Sequence, residues 1–309
     1  MFQTKVPNEL IFYIVSYLYD IEKSLFKYIL ISRDWARIII PFLWENSFCH
    51  ENFKIDSLRQ INFKINSFRR IIYCNLSSDE RNLYQEFFLE KYDAIPLFNY
   101  FSFVKKINTL QIKNIFVDYK NIQFNLTGIT KTVVNLLLKR SNLIEFIHIH
   151  NKFDFFEMVN EYMKDHKISL SLYNQFLKLD MLENLDNLTS LSLSSSYLPK
   201  YFDSLFDRIS ITNMKSLVLK SVNNRNLIEN IIKLQNLKSL SLINSIHDFG
   251  DFLLIKEKMK NLRYLKIISF KINPDTEGEY LINEFVKHEN LKILKARFGN
   301  SNIQKITIY

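Results

Sequence analysis

The sequence predicts an α/β chain: a short N-terminal group of three helices, then a solenoid with a curved parallel sheet inside and helices outside. Three observations predict it. One phrase recurs through the C-terminal half, as "NLTSLSLSSS", "NMKSLVLKSV", "NLKSLSLINS", "NLRYLKIISF" and "NLKILKARFG". Each is an apolar residue, two variable ones, then apolar–x–apolar, and its closing period of two suits a strand. The stretches between phrases have helical spacing instead, as in Leu227, Ile228, Ile231, Ile232 and Leu234 of "NLIENIIKL". Finally, the first fifty residues hold short helical patterns with more apolar side chains than one small core needs.

The N-terminal elements come first in the chain. Pro7 suits a helix start, because proline fixes φ and needs no amide partner there. Asn8 and Glu9 put polar and acidic groups at the positive end of the helix. Leu10, Ile11, Ile14, Val15 and Leu18 then form an apolar stripe, with Phe12, Tyr13 and Tyr17 off it. A second helix is expected over Ser24–Ile31 and a third over Ser32–Ile40, with Ser32 as its N-cap and Pro41 as its end. Apolar side chains in such excess dock either the rest of the chain or a partner.

The N-terminal helices are expected to occupy residues 1–48, a helical linker or first cap 49–100, and the solenoid 101–309. Within the linker, "LSSDERNLYQEFFLEKY" reads as a helix with Ser78 as N-cap. In the solenoid the fourth position of the phrase falls at Leu191, Leu217, Leu240, Leu265 and Leu294, at intervals of 26, 23, 25 and 29 residues. Leucine-rich repeats recur at about 20–29 residues. Fainter copies are "KINTLQIKNI", with Ile107, Leu110, Ile112 and Ile115, and "NLIEFIHIHN", around Leu143 to Ile149. The final "NIQKITIY" reads as a last strand that caps the array. One feature departs from the usual repeat: the ninth position, commonly asparagine, holds Ser196, Val222, Ser245, Phe270 and Gly299.

Alternation on a strand sends the leucines inward and the residues between them outward. The outward position between the last two apolar residues reads Gln111, Ser192, Val218, Ser241, Lys266 and Lys295. The position before the middle leucine reads Thr109, Ser190, Ser216, Ser239, Tyr264 and Ile293. The face is therefore small and neutral in its middle and basic and aromatic toward the C-terminus, where Arg263 and Arg297 add charge. Ser192, Val218, Ser241, Tyr264, Lys266, Lys295 and Arg297 are the candidate residues for binding a target protein. The basic end suits an acidic or phosphorylated segment.

Composition excludes other classes. The net charge of +9 comes from scattered lysines, and the scarce Ala, Gly and Pro against abundant Lys, Asn, Ile, Phe and Tyr trace A/T-rich codons, so no nucleic-acid partner is expected. No apolar run approaches the roughly 20 residues that span a bilayer. Glu9 interrupts the N-terminal apolar stretch and no small-residue cleavage site follows, so no secretory leader is expected. Cys49 and Cys74 form neither a disulfide framework nor a metal spacing, which fits the cytoplasm or nucleus. The sequence holds no GxGxxG, Walker loop, GxSxG elbow or HExxH, so no enzymatic activity and no cofactor are expected. His148 and His150 share a strand face, but two ligands do not make a metal site.

"VPNELIFYIVSYL", a short spacer and "SLFKYILISRDWARIIIPFLW" together resemble an F-box over residues 3–48. Pro7, Glu9, Ile14, Tyr17, Leu18, Ser32 and Trp35 match that family's pattern; Val6 stands where leucine is usual and Ile31 where valine is usual. The resemblance implies docking onto the small adaptor subunit of a cullin–RING ubiquitin ligase. It places Val6, Pro7, Leu10, Ile14, Leu18, Ile31 and Trp35 at or just behind that contact. The remainder of the chain would then bind a protein substrate, the whole acting as a monomer within the ligase complex. The alternative is a repeat protein that binds partners with no ligase link, its N-terminal helices merely capping the solenoid.

Overall fold

The computed structural model describes residues 7–21, 28, 31–45, 58–88, 98–117, 126–150, 155–173, 182–194, 206–209, 214–222, 227–244, 249–269, 274–299 and 304–307. They form two compact units, Met1–Glu145 and Phe146–Tyr309.

The first unit is mainly helical: α1 (Asn8–Ile21), α2 (Arg33–Glu45), α3 (Leu58–Asn75), α4 (Ser78–Leu83), α5 (Thr109–Asn114) and α6 (Leu126–Arg140), with a three-residue strand β1 (Lys106–Asn108). Pro7 stands one residue before α1, and its carbonyl accepts from the Ile11 amide at 3.1 Å. Of the expected helix Ser24–Ile31, only Tyr28 and Ile31 are described; the Ile31 amide donates to the Tyr28 carbonyl at 3.2 Å. Ser32 caps α2 as expected, its hydroxyl accepting from the Trp35 amide at 3.3 Å.

Pro41 does not end α2, which runs on to Glu45. An internal proline removes one backbone hydrogen bond and costs about 3 kcal/mol. Trp44, beyond the proline, is buried and packs its ring 5.1 Å from Phe68 and 4.8 Å from Tyr100. A large buried aromatic of this kind returns about as much as the proline costs. The Lys105 amide then takes up the Glu45 carbonyl at 2.9 Å, and the two side chains pair at 3.5 Å.

Two further expectations are corrected. The N-cap of α4 is Ser77, not Ser78: its hydroxyl accepts from the Glu80 amide while Glu80 accepts from the Ser77 amide. "KINTLQIKNI" is not a full strand. Asn108 accepts from the Leu110 and Gln111 amides, which turns the chain into α5 after three strand residues. Thr109 is thus fully buried, and neither Thr109 nor Gln111 belongs to the sheet face.

In the second unit β2 (Phe146–His150), β3 (Ile168–Tyr173), β4 (Leu188–Ser194), β5 (Ser216–Lys220), β6 (Ser239–Ile243), β7 (Tyr264–Ser269), β8 (Ile293–Phe298) and β9 (Gln304–Thr307) lie side by side in chain order. Each pairs parallel to the next, except that β9 runs antiparallel to β8. Helices Phe156–Met163, Leu227–Ile232, Phe249–Lys258 and Glu279–Val286 alternate with strands. The fold is thus α/β with a long, mostly parallel sheet, consistent with a leucine-rich-repeat-like solenoid. The last strand caps the array as expected, with Ile303 and Ile308 outside the described residues.

The repeat leucines form ladders. Ile147, Leu170, Leu191, Leu217, Leu240, Leu265 and Leu294 are register partners from strand to strand, each at most 1% exposed. The strand β3 was not expected. Its phrase is one residue short, so Ile168 pairs with Leu188 and a bulge brings Leu170 onto Leu191.

The missing ninth-position asparagines have a substitute in the asparagine that opens the phrase. Asn187, Asn261 and Asn290 each donate their side-chain amide to the preceding repeat, to Met163, Gln235 and Lys260 carbonyls at 2.7, 2.8 and 2.9 Å. Each of these three repeats is thereby tied to its neighbour through a turn carbonyl. Asn290→Ala is expected to lower stability by about 1 kcal/mol, read as a shifted urea midpoint with an unchanged slope. An unshifted midpoint means the bond contributes nothing.

The outer helices are joined by charge. Glu284 accepts hydrogen bonds from Lys256 and Lys287, and these hold its carboxyl at about 2, down from 4.5. A carboxyl more acidic in the fold than in the unfolded chain stabilises fully above the unfolded value and loses that contribution as pH falls toward 2. Glu284→Gln should therefore melt below the parent at pH 6, and the gap should close as pH is lowered from 4.5 toward 2 in parallel thermal scans. A gap that is constant with pH excludes the ionic origin.

Candidate functional site

Two surfaces, one in each unit, carry the residues singled out from the sequence. In the first unit the core joins Ile11 and Val15 of α1 to Ile39 of α2, with Leu18, Tyr28, Trp35, Ile38, Phe42 and Leu43 packed around it. The inward stripe is thus Ile11–Val15–Leu18, narrower than expected. Leu10 is turned out and 51% exposed, and Ile14 is half-buried. A single short partner helix covers only part of the circumference of α1, so the flanking apolar positions stay open.

Among the expected docking residues, Pro7 and Leu10 are exposed, Ile31 is 57% exposed, and Trp35 is half-buried with its ring stacked on Tyr28 at 6.2 Å. Leu18 is partly buried and packs against the core. Val6 lies outside the described residues. Tyr13 and Tyr17 are the most exposed large apolar residues among the described side chains of α1, at 72% and 68%. They fall three and seven residues after Leu10, on one face of the helix. That spacing was present in the sequence, but it was hidden because apolar residues occupy almost every position between.

The second surface is the half-buried face of the sheet. Across the strands the register aligns His148, Ser171, Ser192, Val218, Ser241, Lys266 and Lys295 in one row. Tyr264 lies in the row to one side, between Ser239 and Ile293, and Arg297 in the row to the other, beside Ile268. The structure therefore brings together all seven expected face residues. Ser241 is buried, a floor position between its larger neighbours. The Lys295 ammonium sits 5.6 Å from the centre of the Tyr264 ring, a cation–π distance. At the other end of the row, His148 and Ser171 are hydrogen-bonded at 2.9 Å, and His150 stacks on Tyr173 at 5.0 Å. The histidines are thus engaged with neighbours on the face. Among the described residues no group of three or more His, Cys, Asp or Glu is placed to hold a metal, and no helix is long and apolar enough to cross a membrane.

One surface is apolar and helical; the other is polar and basic at one end. No protein-family model matches the chain, and no curated protein matches it.

Proposed function

We propose that this protein is a substrate-recognition adaptor of a cullin–RING ubiquitin ligase. The helical unit docks the ligase adaptor subunit, and the sheet face of the repeat unit holds a target protein. The observation that carries the reading is the apolar row Leu10, Tyr13 and Tyr17, together with Ile31, left in solvent on a segment that resembles an F-box. Exposed aromatic and aliphatic residues on a helix are the usual anchors for a partner groove. The chain itself makes and breaks no bonds. It holds a target near the ligase's own catalytic machinery, and raises the reaction rate through local concentration and orientation.

Calorimetric titration of the full chain with the ligase adaptor subunit tests this reading. Saturable one-to-one binding is expected. A folded chain that gives no binding overturns it in favour of a ligase-independent repeat scaffold or inhibitor, which needs only the second surface.

A further inference from the structure

The face of β2 to β8 carries charge of one sign. The chain has 32 Asp and Glu residues, yet every second residue read along these paired strands, from Phe146 to Arg297, meets no carboxylate. At the β7–β8 end Lys266 and Lys295 are direct register partners. Neighbouring strands lie about 4.8 Å apart, and like charges placed opposite one another repel. Both lysines are half-buried, which weakens solvent screening, and neither has an ion-pair partner among the described residues. Arg297 lies two residues beyond Lys295 on the same face. An anion laid between these groups relieves the repulsion and gains charge-assisted hydrogen bonds.

The rest of the row defines the shape of the occupant. Ser192, Val218 and Ser241 are small, so a backbone can lie close over them. From β4 to β8 the four inter-strand steps span about 19 Å, the length of roughly six extended residues. A nucleic-acid strand needs cations along its whole path and open aromatic platforms. Here the cations gather at the β7–β8 end, with Lys220 on β5 the one other lysine or arginine among the described face residues of β4 to β8, and Tyr264 already packs against Lys295.

We propose that this face takes an extended acidic stretch of a partner polypeptide, laid across β4 to β8 with its carboxylates over Lys266, Lys295 and Arg297. The inference rests on reading the sheet face as the target-binding surface. The test uses immobilised eight-residue serine peptides graded from no glutamate to four, probed with the purified full chain. Retention should rise at least tenfold along the series. It should be flat for Lys266→Gln/Lys295→Gln, and the reversal Lys266→Glu/Lys295→Glu should prefer lysine-bearing peptides of the same design; thermal melting confirms that each variant folds.

Retention indifferent to glutamate, or unchanged in the glutamine variant, overturns the inference. So does a response to phosphoserine peptides alone, or displacement by oligouridylate at lower concentration than by the glutamate peptide. Adaptor titration of the same preparation separates the two readings. A chain that binds the adaptor but ignores glutamate loses only this inference. A chain that reads glutamate but binds no adaptor loses the ligase assignment and keeps the site.

Discussion

The double variant Leu10→Glu/Ile31→Glu is expected to lose roughly 1,000-fold in affinity for the ligase adaptor, taking two anchor residues at about 2 kcal/mol each. Both side chains are more than half exposed, at 51% and 57%, so the fold has little stake in them. Surface substitutions of this kind usually change stability by less than about 0.5 kcal/mol. Calorimetric titration should therefore show lost binding at an unchanged Tm. The control is Leu18→Glu. Leu18 packs against Ile11, Val15 and Ile39, so a charge there should unfold the helical unit and lose binding through destabilisation. If the Leu10/Ile31 variant still binds at parental affinity, the adaptor does not use this surface.

The largest stability effect is expected at the centre of the leucine ladder. Leu240 is fully buried between its register partners Leu217 and Leu265, which are also fully buried. Leu240→Ala removes three carbons from a site that strand pairing keeps from collapsing. The expected cost is about 2–5 kcal/mol. In a repeat array each unit is stabilised chiefly by its neighbours, so the loss should be felt on both sides of β6. Urea unfolding followed by circular dichroism measures it, and hydrogen exchange should show faster opening on β5 and β7 as well as β6. Ser239→Ala, one residue earlier on the half-buried face, serves as the near-neutral comparison. A cost below 1 kcal/mol at Leu240 is incompatible with the ladder.

Much of the second unit was legible in the sequence because a strand writes its burial pattern at period two. The five phrases from "NLTSLSLSSS" onward all became strands, and the fourth-position leucines paired with one another as their spacing required. The expected face residues fell in adjacent rows for the same reason. What escaped notice had lost the pattern locally. The strand β3 lacks one residue of the phrase and is brought into line by a bulge. "KINTLQIKNI" kept the apolar spacing, but the Asn108 side chain diverted it into a helix. A capping hydrogen bond two residues away outweighs periodicity in so short a segment.

The N-terminal helices were harder to read. With apolar residues on almost every side of "VPNELIFYIVSYL", composition cannot say which of them turn inward. Periodicity put Ile11, Val15 and Leu18 on one stripe with Tyr13 and Tyr17 off it, but the packing of α1 against α2 turned Leu10 out of that stripe and left Ile14 half-buried. Pro41 is a similar case: its intrinsic preference to end the helix was overridden by the burial of Trp44 beyond it. The sequence by itself determined that the chain is α/β, that leucine phrases repeat, and which residues of the five clear phrases line the sheet face, because those properties follow from local periodicity. The tertiary structure decided which apolar helix face is open, where asparagines tie repeat to repeat, and that Lys266 and Lys295 stand opposed with no carboxylate on their face. Each of these depends on residues 20 or more positions apart meeting in space, which no local pattern records.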